Sequence, residues 1–263
     1  MNRLKNQVVM ISGASSGIGQ ATALAFAAAG ARLALCARRE ERLQALVPAL
    51  RQAGADQVIT CAADVREVAQ VDNFVQAALA EFGRIDVLVN NAGLARGLDR
   101  VAAQDDEAWD AWNEMIDTNV KGLLALSRRV LPAMIAQQSG HVINLCSLAS
   151  HVVYEGGSVY CASKHAALAI TEALRLEVAD QRIRVTAISP GLVETEFSVV
   201  RFRGDQQRAD AVYADMTPLT PEDIAECILF AANRPPHVNI DELIVKPLDQ
   251  AGVHKVVHRR PAP

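Results

Sequence analysis

Seven short, largely apolar runs recur along the chain, at 7–12, 31–37, 57–63, 85–89, 141–146, 182–189 and 240–246. The first, Gln7-Val-Val-Met-Ile-Ser12, is too short for a helix and ends at a glycine, which is the pattern of a buried parallel strand. Between the runs lie helical patterns: an alanine-rich one ending near Ala29, then 39–53, 67–82, 106–137, 160–179 and 222–232. Strand and helix alternating through the whole length predict an α/β fold, doubly wound, with a mostly parallel sheet of about seven strands and helices on both faces. No low-complexity linker interrupts the alternation, so residues 1–263 are expected to form a single domain. A segment at about 192–218 and a tail at about 249–263 stand outside the alternation.

Ligands of such a sheet bind beyond the carboxyl ends of its strands, near the point where strand order reverses. Gly13-Ala-Ser-Ser-Gly17-Ile-Gly19 falls there, between the first strand and the first helix. Glycines let backbone N–H groups approach an anion, and a helix N-terminus favours its negative charge. The turn lacks the Gly-Lys-Ser/Thr of a phosphate loop, which disfavours a nucleoside triphosphatase. The end of the second strand bears on the choice of dinucleotide. An acidic residue there binds a ribose 2′-hydroxyl, whereas an arginine accommodates a 2′-phosphate. The sequence reads Ala37-Arg38-Arg39-Glu40. Two arginines at a helix start oppose the helix dipole, so a phosphate is the better explanation for them, and the pair predicts NADP rather than NAD.

Tyr160 and Lys164 lie four apart at the start of a helical pattern, so both side chains fall on one face. A phenol holds its proton tightly near neutrality, and a neighbouring ammonium favours the phenolate, which lets the tyrosine exchange a proton with a substrate oxygen. Ser147, thirteen residues earlier at the end of the fifth apolar run, is placed to hydrogen-bond the same oxygen.

Composition narrows the field. Apolar residues make up 51% of the chain and aromatics only 4%, so the core should be built from Ala, Val, Leu and Ile. A net charge of −4 gives no reason to expect a nucleic-acid partner. The N-terminus has no signal-peptide apolar region and no segment approaches a membrane span, so no membrane association is expected. Cys36, Cys61, Cys146, Cys161 and Cys227 are scattered and odd in number, as in a reduced, cytoplasmic protein, and read as packing residues. The six histidines show no metal-ligand spacing, and no metal is expected.

With these motifs in order, the chain resembles the short-chain dehydrogenase/reductase family, whose Rossmann-type fold the alternation matches. The resemblance rests on Gly13-x-x-x-Gly17-x-Gly19, Asp64-Val65, Asn90-Asn91-Ala92-Gly93, Thr118-Asn119-Val120, Ser147, Tyr160-x-x-x-Lys164 and Pro190-Gly191-x-x-x-Thr195. It implies a Ser147-Tyr160-Lys164-Asn119 mechanism, with Ser147 and Tyr160 on the substrate oxygen, Lys164 also on the nicotinamide ribose, and Asn119 positioning a water behind Lys164. It further implies that Gly13, Ser15, Ser16, Gly17, Ile18 and Gly19 cradle the cofactor, with Arg38 and Arg39 at its 2′-phosphate. Asp64 and Val65 would hold the adenine. Asn91, Ala92 and Gly93 would line the cleft, followed by Pro190, Gly191, Val193 and Thr195 near the nicotinamide carboxamide.

The segment after Pro190 and the later His237-Val-Asn-Ile-Asp-Glu-Leu resemble the branch of NADP-dependent 3-hydroxy acid dehydrogenases that act on serine, allo-threonine and similar compounds. A small alcohol or carbonyl compound is the expected partner, within a homotetramer or homodimer built on the apolar faces of 106–137 and 160–179. If the segment is an extended lid, Arg201 and Arg203 point the same way, toward a substrate carboxylate, while Phe197, Val199 and Val200 cover the nicotinamide edge. If it turns helical, the arginines diverge and at most one reaches the site. Two other functions fit the motifs less closely: a reductase of broader aldehydes and ketones, and an NADP-binding regulator without turnover.

Overall fold

In the computed structural model, which describes residues 2–102 and 106–258, seven strands form one parallel sheet. They are β1 (Val8–Ser12), β2 (Arg32–Ala37), β3 (Val58–Ala62), β4 (Val87–Asn90), β5 (Gly140–Leu145), β6 (Ile183–Pro190) and β7 (Glu242–Val245). Their spatial order is β3-β2-β1-β4-β5-β6-β7. Strand order therefore reverses between β1 and β4, and a crevice opens beyond their carboxyl ends. There Ser12 Oγ accepts hydrogen bonds from the backbone N–H groups of Asn91 (3.1 Å) and Ala92 (3.0 Å). This ties the ends of the two strands together just where the glycine turn begins.

The two-residue period of a strand explains how one sheet carries two cores. Val9 and Ile11 of β1 point to the face covered by α1 (Gly17–Ala28), α2 (Glu40–Ala53) and α9 (Pro221–Ala232), where Phe26, Leu43, Leu50 and Ile228 are buried. Val8 and Met10 point to the opposite face. It is covered by α3 (Val68–Phe82), α5 (Leu123–Gln137) and α6 (Ser158–Glu177), with Phase-matched burial of Phe74, Leu126, Val130 and Leu174. Leu126 on α5 and Leu174 on α6 thus belong to the face of each helix that packs on the sheet. Leu124 and Leu176 are the exposed ones, Leu176 at 82%.

Three features depart from the sequence reading. The stretch 106–137 is not one helix: α4 (Asp106–Ile116) and α5 are joined by a π-helical turn, Asp117–Gly122, around Asn119. The segment at about 192–218 is not extended, because it folds into two short helices, α7 (Glu196–Arg201) and α8 (Gln206–Ala211). Thr195 and Asp205 cap them, accepting bonds from the backbone N–H groups of Phe197 and Arg208. The tail forms a small antiparallel hairpin, β8 (Gln250–Gly252) and β9 (Lys255–Val256), and its last five positions, 259–263, lie outside the described residues. No helix among the described residues is long and apolar enough to cross a membrane.

Candidate active site

A cavity of about 600 Å³ opens at the switch point and is lined by residues from every motif named above. Its floor is the glycine turn. Gly13 and Gly17 have positive φ (66° and 53°), which side-chain-bearing residues rarely adopt. A Cβ on Gly19 would collide with the carbonyl oxygen of Gly13 and with the Asn91 amide. Asn91 Nδ2 donates to the carbonyls of Ser12 (2.9 Å) and Gly13 (3.1 Å), fixing the turn from the β4 side. The result is a bare backbone cradle that fits a phosphate-bearing ligand.

Basic side chains crowd one end of this cradle. Arg39 donates to Ser16 Oγ at 2.7 Å and, at longer range, to Ser15 Oγ, and pairs with Glu196 at 2.8 Å. Arg42 also pairs with Glu196, at 2.7 Å. The hydrogen bonds from Arg42 and Arg39 hold the Glu196 carboxyl below the usual range. Arg38 is 53% exposed and is held loosely by Glu114 (3.3 Å), which also binds Arg96 (2.7 Å). Partial burial pushes the Asp64 carboxyl up, but hydrogen bonds from Arg66 and the charges of Arg66 and Arg38 outweigh it and lower its pKa. The end of β2 thus presents two guanidiniums beside a phosphate-sized cradle, with no acid where a ribose hydroxyl would be bound.

The other end holds Tyr160, Lys164, Ser147 and Asn119. Tyr160 and Lys164 occupy successive turns of α6 and are nearly buried, at 8% and 6% exposure. Lys164 Nζ donates to the Leu145 carbonyl at 2.8 Å, so the ammonium is anchored to the end of β5. Ser147 follows that strand and starts a 3₁₀ turn, Leu148–Ser150, with its Oγ accepting from the Ala149 N–H. Asn119 sits in the π turn with its side chain fully engaged. Its Oδ1 accepts from Leu94 N–H, and its Nδ2 donates to Leu94 O and Ser163 Oγ. Gly93 lies between the two: a Cβ there would come within 3.2 Å of Asn119 Oδ1 and 3.4 Å of Lys164 Nζ. A π turn widens a helix locally and commonly accompanies a functional site. Cys146 is buried beside Ser147, and burial pushes its thiol up to about 11, so it stays protonated and packs.

The lid closes the cavity from above. Thr195 approaches Gly17, its Cγ2 3.3 Å from where a Cβ would sit. Phe197 meets the Tyr160 ring edge-on, with centroids 5.7 Å apart. The two arginines diverge, because α7 ends at Arg201 and Arg203 lies beyond it in a left-handed conformation, φ 54°. Arg201 turns inward, its guanidinium carbon 4.8 Å from the Tyr160 ring centroid and 5.1 Å from that of Phe197. Arg203 turns away to pair with Asp99 (3.1 Å) and Glu107 (2.9 Å), and it does not line the cavity. The expectation of a substrate contact from Arg203 is therefore corrected. Asp205 caps α8 instead of pairing with either arginine.

A family model described as short chain dehydrogenase matches residues 7–206. The chain belongs to the short-chain dehydrogenase family. It is 44% identical to an NADP-dependent 3-hydroxy acid dehydrogenase of Schizosaccharomyces pombe, over 99% of this chain and 100% of the relative. It is also 44% identical to sulfoacetaldehyde reductase 2 of Chromohalobacter salexigens, over 94% of this chain and 96% of the relative. Among solved structures, the closed form of a serine dehydrogenase complexed with NADP+ superposes with a TM-score of 0.87 at 38% identity, covering 97% of this chain and 100% of that one.

Within this short-chain dehydrogenase, sequence reasoning overlooked three cavity-lining groups. Tyr154 precedes Tyr160 and Lys164 in an unremarkable loop, and Glu196 reads only as the first residue after Thr195. Gln250 arrives from the tail, its Oε1 accepting from Leu192 N–H at 2.8 Å. No local spacing marks them, since each is brought in by tertiary contact.

Proposed function

We propose that the chain is an NADP-dependent oxidoreductase that interconverts a short 3-hydroxy acid and its 3-oxo counterpart. Arg201 carries the reading. It is a guanidinium on the cavity wall, stacked over Tyr160, without a carboxylate partner among the described residues and with its Nε buried and unbonded. Arg201 is half-buried, a buried N–H left unbonded is costly, and a bound substrate carboxylate would satisfy it in a two-point fashion. The relatives point the same way, because 3-hydroxy acids, serine and sulfoacetaldehyde all carry an anionic group on the carbon next to the reacting one.

The glycine turn, Ser15, Ser16 and Ile18 would hold the cofactor at its phosphates, with Arg38 and Arg39 at the 2′-phosphate and Asp64 and Val65 at the adenine. Asn91, Ala92, Gly93, Pro190, Gly191, Val193 and Thr195 would flank its nicotinamide end, as their place around the cavity supports. Bound there, the cofactor supplies the hydride acceptor or donor. Ser147 and Tyr160 hydrogen-bond the reacting oxygen as charge develops on it. Tyr160 takes the hydroxyl proton in oxidation and returns one in reduction, with the Lys164 ammonium one helical turn away. Asn119 brackets the Leu94 loop against α6 and so keeps Lys164 in place. The lid, through Phe197, excludes water from the reacting centre.

Arg201→Ala tests the reading. Assayed with a 3-hydroxy acid and with its methyl ester, it should lower kcat/KM on the acid about ten-fold or more and leave the ester nearly unchanged. Equal effects on both would favour a general carbonyl reductase.

We also infer a cytoplasmic homo-oligomer, a tetramer or dimer, joined through helices α5 and α6. Leu124 and Ile135 on α5 and Leu176 on α6 are exposed apolar residues that such an interface would cover. Light scattering at micromolar concentration is expected to read a multiple of the monomer mass, and a monomer mass would refute the assembly.

A further inference from the structure

The same wall of the cavity holds a second polar group beside Arg201. Tyr154 Oη accepts a hydrogen bond from Arg201 Nη2 at 2.7 Å, and the guanidinium carbon lies 5.7 Å from the Tyr154 ring centroid. The phenolic proton finds no acceptor among the described residues, although Tyr154 lines the cavity and is half-buried. Burial pushes its pKa up, so the group stays a neutral phenol across the working pH range. A phenol has one proton to donate and an oxygen that accepts. Here the oxygen is occupied by Arg201 and the proton is left for something that enters the cavity.

The ring is also held firmly. Gly157 packs against its face so closely that a Cβ would run into the ring carbons, and Gly157 N–H donates to the Tyr154 carbonyl at 3.1 Å. Gly157 is the residue at which α6 begins, three positions before Tyr160. The Tyr154 hydroxyl is thus set in a fixed relation to α6, while Arg201, at the end of α7, is tied through its backbone carbonyl to Gly97 N–H and reaches the cavity with a long side chain. A rigid acceptor is what a long, flexible guanidinium needs to lose little entropy on binding.

We propose that Tyr154 is the second half of the carboxylate subsite: it holds the Arg201 guanidinium in register and donates its own O–H to the substrate carboxylate. This rests on the reading of Arg201 as the carboxylate partner. It assigns Tyr154 a part in substrate selection, distinct from the proton transfer at Tyr160.

Tyr154→Phe keeps the ring against Gly157 and removes only the hydroxyl. With a 3-hydroxy acid, KM is expected to rise about ten-fold or more. With the methyl ester of the same acid, and for NADP(H), KM is expected to change less than about two-fold. A role limited to packing would move acid and ester together. The double variant with Arg201→Ala should lose more discrimination than Arg201→Ala alone but less than the two single losses combined, because the two groups are coupled and serve one anion. If Arg201→Ala discriminates acid from ester and Tyr154→Phe does not, the Tyr154 assignment is overturned and the carboxylate reading stands. If neither variant discriminates, both fall.

Discussion

Tyr160→Phe is expected to lower kcat by about 10²-fold or more while leaving fold and cofactor affinity almost unchanged. The reason lies in what the hydroxyl touches and what it does not. The ring packs against Phe197 and lies under Arg201, contacts that phenylalanine retains. Only the oxygen proposed to exchange the substrate proton is lost. Lys164 keeps its bond to the Leu145 carbonyl, and Ser147 keeps its cap, so the rest of the cluster has no cause to move. Steady-state turnover with NADP(H), together with cofactor fluorescence titration, checks both halves. Near-normal turnover would remove Tyr160 from the mechanism. Cofactor binding without turnover in the parent protein, across a panel of 3-hydroxy acids and carbonyl compounds, would favour a regulator instead.

The second large effect is expected at the end of β2. Arg38→Ala and Arg39→Ala should each raise KM for NADP(H) by about 10- to 150-fold, the scale of one charge-assisted hydrogen bond, and leave KM for NAD(H) nearly unchanged. The two should differ in a further respect. Among the described residues, Arg38 is tethered only to Glu114. Arg39 binds Ser15 and Ser16 of the glycine turn and also Glu196, which opens the lid helix α7. Its loss is therefore expected to raise the substrate KM as well, because the lid loses one of its two ties to α2. Equal losses on both cofactors would show that neither arginine reads the 2′-phosphate. These pairs are half-exposed and individually weak, so salt should reduce the lid effect more than the cofactor effect.

The parts that were legible in the sequence share one property: they are local. Strand β1 could be recognised as a buried parallel strand because five consecutive residues are buried on both faces, which leaves an unbroken apolar run. Tyr160 and Lys164 could be paired because the helical repeat alone stacks residues four apart. The glycine turn was readable because its backbone geometry excludes most side chains. Boundaries moved by a residue or two, as when β4 began at Val87 rather than Ile85. The π turn at Asn119 was missed because helical patterns run into it from both sides, although most of Asp117-Thr118-Asn119-Val120-Lys121-Gly122 are poor helix formers. Its widened geometry accompanies a side chain that reaches Leu94 and Ser163, contacts no periodicity can announce.

By itself, then, the sequence determined the alternating fold, the phosphate cradle, the arginines at its rim and the Ser147, Tyr160 and Lys164 set. Only the tertiary structure decided which side chains share the substrate wall. The lid could be extended or helical on local grounds, and Thr195 and Asp205 as caps settled it, turning Arg201 inward and Arg203 out to Asp99 and Glu107. Tyr154 meets Arg201 across 47 residues, and Arg39 meets Glu196 across 157. Such contacts form only when the sheet has set both ends in place. Their energies come from burial and geometry that no short stretch of the chain contains.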